Sequence, residues 1–142
     1  ALFWAPHHAL SSSMETRCES YIDEAKRCGM SVEVQREQYP FEPELERVMG
    51  NKEPPDVISV YCDHVAYDVI QSLQNMGLQV PRDVAVTGFD GVPGSYPSFT
   101  TVYAPWKEIA QTAVSLLVQQ CQGRAIPMHT ILPVELVVGE TA

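Results

Sequence analysis

The sequence alternates between short apolar runs and amphipathic stretches, and this alternation restricts the possible fold more than any other feature. Apolar runs typical of buried strands occur as ALFWA, DVISVYC and VAVTGF. Between them lie stretches whose apolar residues are three and four positions apart, the spacing of one face of an α-helix. Strands and helices in alternation predict an α/β fold with an open, mostly parallel sheet and helices on both faces.

The predicted order of elements is strand, helix, strand, helix, strand, helix, strand, then a turn-rich segment followed by strand, helix and strand. The third helix is predicted to begin at Asp63, whose side chain would cap it. The last helix, 107–122, is predicted to turn four apolar residues inward: Ile109, Ala113, Leu116 and Leu117.

Composition and charge restrict the class of protein. The formal net charge of −9 repels a phosphate backbone, so these residues alone are not expected to bind nucleic acid. Four scattered cysteines without a CxxC pair favour a reducing, cytoplasmic environment over a zinc site or a disulfide framework. No apolar run reaches the roughly 18 residues of a membrane-spanning helix. The apolar start is short, lacks a basic leader and contains Pro6, so a signal peptide is not expected.

Motifs for catalysis and for cofactor binding are missing from the sequence. The GFDG segment contains glycines, but neither GxGxxG nor GxxxxGK[ST] occurs, so no phosphate-binding loop is predicted. There is no GxSxG sequence, and the spacing supports no Cys–His pair. His7 and His8 have no third ligand in register and are not predicted to hold a metal. We therefore expect no enzyme, no cofactor and no metal.

Two carboxylates follow predicted central strands directly. Asp63 follows DVISVYC and Asp90 follows VAVTGF, and ligands of open parallel sheets bind beyond the carboxyl ends of the strands. Ionised carboxylates there would accept hydrogen bonds from several hydroxyls of a polyol. The structural alternatives are a helix N-cap for Asp63 and a turn residue for Asp90. Paired carboxylates also serve glycoside hydrolysis, but nothing else in the sequence supports that reaction.

Two further side chains are candidates for the same edge of the sheet, together with the loop after ALFWA. Arg17 lies near the start of the first helix, where its fork of donors would suit sugar hydroxyls or a carboxylate. Trp106 follows Pro105, and its indole would lie against the apolar face of a sugar or base. The alternatives are an exposed surface arginine and ordinary core packing of the tryptophan.

Several motifs together resemble one family. The segment VPRDVAVTGFDG is similar to the end of the effector-binding core of LacI/GalR transcription regulators. In matching order stand SSSMETRCESY, DHVA, GLQVP, a Thr–Thr pair and a closing ILPVELVVGETA. Three positions depart from the family pattern, and one of them is Ser20, which stands where a glycine is common before the aromatic residue. Gly139 stands where an arginine is usual, and Cys62 stands where an effector-contacting asparagine is frequent.

The resemblance implies the second lobe of a type I periplasmic-binding-protein-like core. It assigns residues 1–98 to that lobe, 99–125 to a strand and helix that cross to the first lobe, and 126–142 to a closing strand in the second lobe. The helix-turn-helix headpiece that binds operator DNA in this family is absent from these residues. The crossing helix would have lost its partner surface, so a homodimer is expected, and domain swapping is one form it would take.

The resemblance also implies a function and a site. A small-molecule effector, a sugar or a nucleoside-like compound, would be bound between the lobes and would change operator affinity. By motif, the residues facing the effector are Arg17, Asp63, Asp90 and Trp106. The competing interpretation is a periplasmic sugar-binding protein of a transporter, which shares the fold but needs a signal peptide.

Overall fold

The computed structural model describes residues 1–5, 12–36, 39–92 and 98–142. The predictions made for His7, His8 and the loop after the first strand therefore lie outside the described residues.

Within these ranges the elements follow the predicted order. They are β1 (Leu2–Ala5), α1 (Ser12–Arg27), β2 (Glu33–Arg36), α2 (Glu42–Met49), β3 (Val57–Val60), α3 (Asp63–Asn75), β4 (Ala85–Asp90), β5 (Thr100–Tyr103), α4 (Trp106–Cys121) and β6 (Glu135–Val137). The closing strand is shorter than the apolar run ILPVELVV, because only three of its residues pair with β5.

One six-stranded sheet has the order β2-β1-β3-β4-β5-β6. The first five strands are parallel, and β6 pairs with β5 in the antiparallel sense. The chain moves outward from β1 to β2 and then returns past β1 to β3, so the switch point lies between β1 and β3. The carboxyl ends of the parallel strands meet at one edge, which is where a ligand site is expected.

Helices cover both faces of this sheet, as predicted. Neighbouring residues of a strand point to opposite faces, and those of β1 show which helix covers each. The Phe3 ring lies 5.0 Å from Tyr21 of α1, and the Trp4 ring lies 5.9 Å from Phe41 at the start of α2. The core between these layers is apolar and nearly solvent-free, with Trp4, Ile58 and Val86 all completely buried.

The last helix and strand differ from the rest of the fold. No residue of α4 is buried, and no other described element packs extensively against it. The prediction that Ile109, Ala113, Leu116 and Leu117 turn inward is therefore wrong, because no described element forms a surface opposite them. The strand β5, which the resemblance places in the first lobe, is hydrogen-bonded to β4 in the same sheet.

Candidate functional site

The guanidinium of Arg17 is held at the carboxyl edge of the sheet by three neighbours. Its Nη1 donates to the Tyr61 carbonyl at 2.8 Å and lies 3.3 Å from Asp90 Oδ1. Its Cζ lies 3.8 Å from the centre of the Phe89 ring, a cation–π contact. α1 follows β1 and Tyr61 follows β3, so Arg17 spans the switch point of the sheet. These contacts fix the guanidinium and leave other N–H groups as potential donors to a ligand.

Asp90 ends β4 and forms the acidic half of this pair. Its side chain is about one-fifth exposed, and burial raises the pKa of Asp90 above the ordinary value of 3.8. The positive charge of Arg17 opposes that shift, while the negative charge of Asp63 adds to it. The backbone of Asp90 has a φ of +111°, a conformation that residues with a side chain rarely adopt. Backbone strain of this kind is concentrated at functional sites.

Trp106 lies beside Asp90 at the start of α4. Its indole Nε1 donates to the main-chain carbonyl of Asp90 at 2.8 Å, and the side chain is half exposed. The same carbonyl accepts a hydrogen bond from the Ala104 N–H at 3.2 Å. The structural alternative of core packing does not hold in this chain, since the ring is not buried.

Asp63 lies beneath the site rather than at its surface. Only 2% of Asp63 is exposed, and each of its carboxylate oxygens accepts a hydrogen bond. Oδ1 accepts from Thr101 Oγ1 at 2.7 Å, and Oδ2 accepts from the Val92 N–H at 2.9 Å. The prediction that Asp63 caps α3 is wrong, because Cys62 occupies the N-cap position and no side-chain cap bond is present. Asp63 instead ties the turn after β4 to β5.

The close approach of Asp63 to β4 explains a glycine in the GFDG motif. A Cβ on Gly88 would overlap the Asp63 carboxylate. The β4 backbone is fixed by its neighbouring strands, so a side chain at position 88 would push the Asp63 carboxylate away from Thr101 and Val92. The glycine of this motif makes room for a buried carboxylate rather than for a phosphate.

Three contributors to this site, Phe89, Thr101 and Tyr61, are not predicted by the sequence. Phe89 lies in the GFDG motif, but nothing in its type or spacing indicates that Arg17 lies on its ring. The Thr101 hydroxyl and the Tyr61 carbonyl also carried no signal, since their partners are 38 and 44 positions away in the chain.

A groove of about 580 Å³ lies along the α1 face of the sheet. It reaches the cluster just described at Arg17 and Phe89, but Asp90 and Trp106 do not line it. Its walls are mostly apolar, and two hydroxyls on its floor, those of Thr87 and Ser59, bond to each other. Specific small-molecule sites need convergent polar groups, so the strand edge fits such a site better than the groove does.

The arrangement at the edge offers a fixed donor and a fixed acceptor side by side. A ligand hydroxyl would donate to the Asp90 carboxylate while its neighbour accepts from Arg17, a pattern suited to adjacent hydroxyls. Among the described residues no three His, Cys, Asp or Glu side chains converge in a way that would hold a metal ion. In the same part of the chain, no helix is both long enough and apolar enough to cross a membrane.

The chain is similar to one domain family and to several transcriptional repressors. A sequence profile of the periplasmic binding protein-like domain matches residues 2–142. The HTH-type transcriptional repressor CytR of Escherichia coli K12 is 29% identical over 119 residues, which are 78% of this chain and 35% of CytR. The HTH-type transcriptional repressor MelR of Bacillus subtilis is 36% identical over 91 residues, or 61% of this chain and 26% of MelR. The chain thus spans about a third or less of these relatives.

Solved structures show the same architecture over nearly the whole chain. A dimeric Lac repressor with a shortened C-terminus superposes with a TM-score of 0.87 at 24% identity, over 99% of this chain and 54% of that one. The Lac repressor dimer bound to operator and the anti-inducer ONPF gives a TM-score of 0.81 at 26% identity, over 99% of this chain and 44% of that one.

These matches confirm the fold predicted from the sequence, and they confirm the resemblance drawn from its motifs. The profile covers almost every residue, and the relatives named above are repressors rather than enzymes. The chain therefore belongs to the periplasmic binding protein-like domain family, in the form found in LacI/GalR transcription regulators.

Proposed function

We propose that this chain is the effector-sensing part of a LacI/GalR-type transcription regulator, with a sugar or a similar polyhydroxyl compound as effector. The observation that carries the proposal is the fixed Arg17–Asp90 pair at the switch point of a parallel sheet. Donor and acceptor atoms lie 3.3 Å apart there, so one ligand bearing neighbouring hydroxyls satisfies both. The named relatives are repressors, which favours a regulator over a transporter's binding protein.

The four residues identified by motif take different roles in this proposal. Arg17 and Asp90 contact the effector directly, and Trp106 offers its half-exposed ring at the same edge. Asp63 acts from below, since its oxygens already accept hydrogen bonds from Thr101 and Val92. It holds the turn after β4 in the position from which Asp90 reaches the ligand.

Regulation would follow from a difference in effector affinity between two arrangements of the protein. An effector shifts an equilibrium only as far as its affinities for the two states differ. The resemblance supplies a first lobe and a DNA-binding headpiece as the parts that move. The exposed α4, which no described residue covers, supports the placement of 99–125 against a lobe outside this chain. Operator binding would belong to the headpiece, consistent with the net charge of −9.

A thermal-shift screen of the parent protein against monosaccharides, disaccharides, sugar phosphates, nucleosides and purines tests this function. A true effector stabilises the folded state by mass action, so the melting temperature rises with its concentration. Asp90→Ala should weaken binding by about 2 kcal/mol or more, the value of a charge-assisted hydrogen bond.

Asp83→Ala is the matched control for this experiment. Asp83 also pairs with an arginine, Arg82 at 3.1 Å, but it lies before β4 at the opposite edge of the sheet. The control variant should keep the affinity of the native protein. Equal affinity in Asp90→Ala and the native protein would remove Asp90 from the site, and a response to none of the compounds would reject a polyhydroxyl effector.

We also propose that the isolated chain forms homodimers through α4. Val114, Leu117 and Val118 are each about half exposed or more, and apolar surface of this kind marks contact sites. One solved relative is described as a dimeric Lac repressor. Light scattering at high micromolar concentration should give the mass of two chains, and a monomeric mass would contradict the proposal.

A further inference from the structure

The main-chain carbonyl of Asp90 joins two regions that the sequence separates by sixteen positions. It accepts from the indole Nε1 of Trp106 at 2.8 Å, and Trp106 is the first residue of α4. The carboxylate of the same residue pairs with Arg17 at 3.3 Å. The side chain of Asp90 therefore belongs to the candidate effector site, and its main-chain carbonyl contacts the start of α4.

The backbone of Asp90 makes this link sensitive to the side chain. A φ of +111° is held only when surrounding contacts fix it, because L-residues with a Cβ are strained there. The fixing contacts are the Arg17 pair on one side, and the hydrogen bonds from Trp106 and Ala104 on the other. Asp90 is also paired with Tyr103 of β5, so the Arg17 pair is the restraint on this strained peptide that involves the carboxylate, and a change in what the carboxylate binds changes it.

The start of α4 depends on the same contact. The N-cap position is taken by Pro105, and no side-chain cap bond is made there. The first turn closes through the Ile109 N–H bonded to the Pro105 carbonyl at 2.9 Å. No residue of α4 is buried, so packing contributes little to fixing that turn. Two bonds hold Trp106 at the sheet: its main-chain N–H donates to the Ala104 carbonyl at 2.8 Å, and its indole N–H is the side-chain bond that reaches β4.

We propose that Trp106 is a positioning residue that transmits the bonding state of the Asp90 carboxylate to the first turn of α4. This signalling role rests on the proposed function, whereas the transmission itself is a property of the chain and needs no ligand. When the carboxylate exchanges Arg17 for another partner, the Asp90 peptide relaxes and its carbonyl turns. The indole follows the carbonyl, and the first turn of α4 moves with it.

A double-mutant cycle on the full 142-residue chain tests this transmission. The four proteins are the native chain, Asp90→Asn, Trp106→Phe and the double variant. Asparagine removes the charge but tolerates a positive φ better than most residues, so the variant is expected to fold. Phenylalanine keeps an aromatic ring but removes the N–H donor together with part of the ring area. The readout is amide hydrogen exchange at Ile109, measured by NMR, with exchange at Gln122 as the reference at the far end of α4.

Transmission through Trp106 predicts a coupled result. Asp90→Asn should speed exchange at Ile109 about fivefold in the native background and by less than about twofold when Trp106 is already phenylalanine. Exchange at Gln122 should be unchanged throughout, a pattern that a merely structural loss of stability would not give. Arg17→Gln changes the partner of the carboxylate without altering residue 90 and should reproduce the pattern.

Two outcomes would overturn the proposal. An equal effect of Asp90→Asn in both backgrounds would mean that the signal travels through the Ala104 bond. No effect at Ile109 in the native background would mean that the carboxylate and α4 are independent. The exposed Glu108→Gln is the matched charge-neutralising control and should leave the coupling intact. These results stand apart from the thermal-shift screen, which fails only if the compounds do not bind.

Discussion

The helices α3 and α4 have similar sequence patterns and opposite environments. Both show apolar residues at helical spacing, and they contain 13 and 16 residues. Seven residues of α3 are buried, whereas α4 has none. α3 packs on β3, β4 and α2, but no described element covers α4. Helical periodicity therefore establishes that a helix has an apolar face, and only the rest of the fold decides whether that face is buried.

Truncation of a core residue in α3 gives the largest expected effect. Leu73 is completely buried, so Leu73→Ala removes apolar contacts and leaves a cavity. We expect the free energy of unfolding to fall by about 3 kcal/mol, within the usual range for buried leucine. Urea denaturation followed by circular dichroism measures it. A loss below about 1 kcal/mol would show that the burial of α3 contributes little more to the free energy of unfolding than the exposed α4 does.

Removal of the buried Asp63 carboxylate at the start of α3 should give the second-largest loss of stability. Asp63→Ala leaves the Thr101 hydroxyl and the Val92 N–H without their acceptor. Unsatisfied buried donors destabilise by about 1–3 kcal/mol, and we expect about 2 kcal/mol here. Asp63→Asn is the control of equal size, which retains one acceptor oxygen and should lose roughly half as much. Equal stability of all three proteins would show that Asp63 does not anchor the turn.

Neutralisation of Asp90 tests the electrostatics at the end of β4, where the main-chain carbonyl of Asp90 meets the first residue of α4. The folded chain retains the Asp90 proton to higher pH than the unfolded chain, because burial raises this pKa above 3.8. Its contribution to the free energy of unfolding is therefore greatest below 3.8 and is lost as the pH rises through the raised pKa.

Asp90→Asn does not titrate, so it isolates this contribution. The stability of the native chain relative to Asp90→Asn should decline across that window and become constant above it. Urea denaturation at several pH values measures the difference. A difference that stays constant with pH, or one that grows as the pH rises, would contradict a raised pKa.

The smallest effect is expected for an apolar residue of α4. More than half of Leu117 is exposed, so Leu117→Ala should change the unfolding free energy of the monomer by no more than about 0.5 kcal/mol. If α4 forms the dimer contact, the same change should weaken self-association in light scattering. A large loss of stability at low protein concentration would show that α4 is covered after all.

Much of the fold was predictable, because parallel strands and amphipathic helices leave periodic patterns in the sequence. The order of elements and the sheet type were both predicted, and so was the edge at which Asp63 and Asp90 lie. The environment of each side chain was not predicted, because it depends on contacts between distant parts of the chain. The sequence predicts Asp63 as a helix cap or a ligand contact, and the structure shows its side chain buried against Gly88 of β4.

The sequence by itself determined local properties: which segments become strands, which face of each helix is apolar, and the acidic charge that disfavours nucleic acid. These follow from neighbours within a few positions, or from composition alone. Only the tertiary structure decided that Arg17 lies on Phe89 and pairs with Asp90, and that Trp106 bonds to the Asp90 backbone. Those contacts join distant parts of the chain, and their geometry depends on how the strands align and where each one ends.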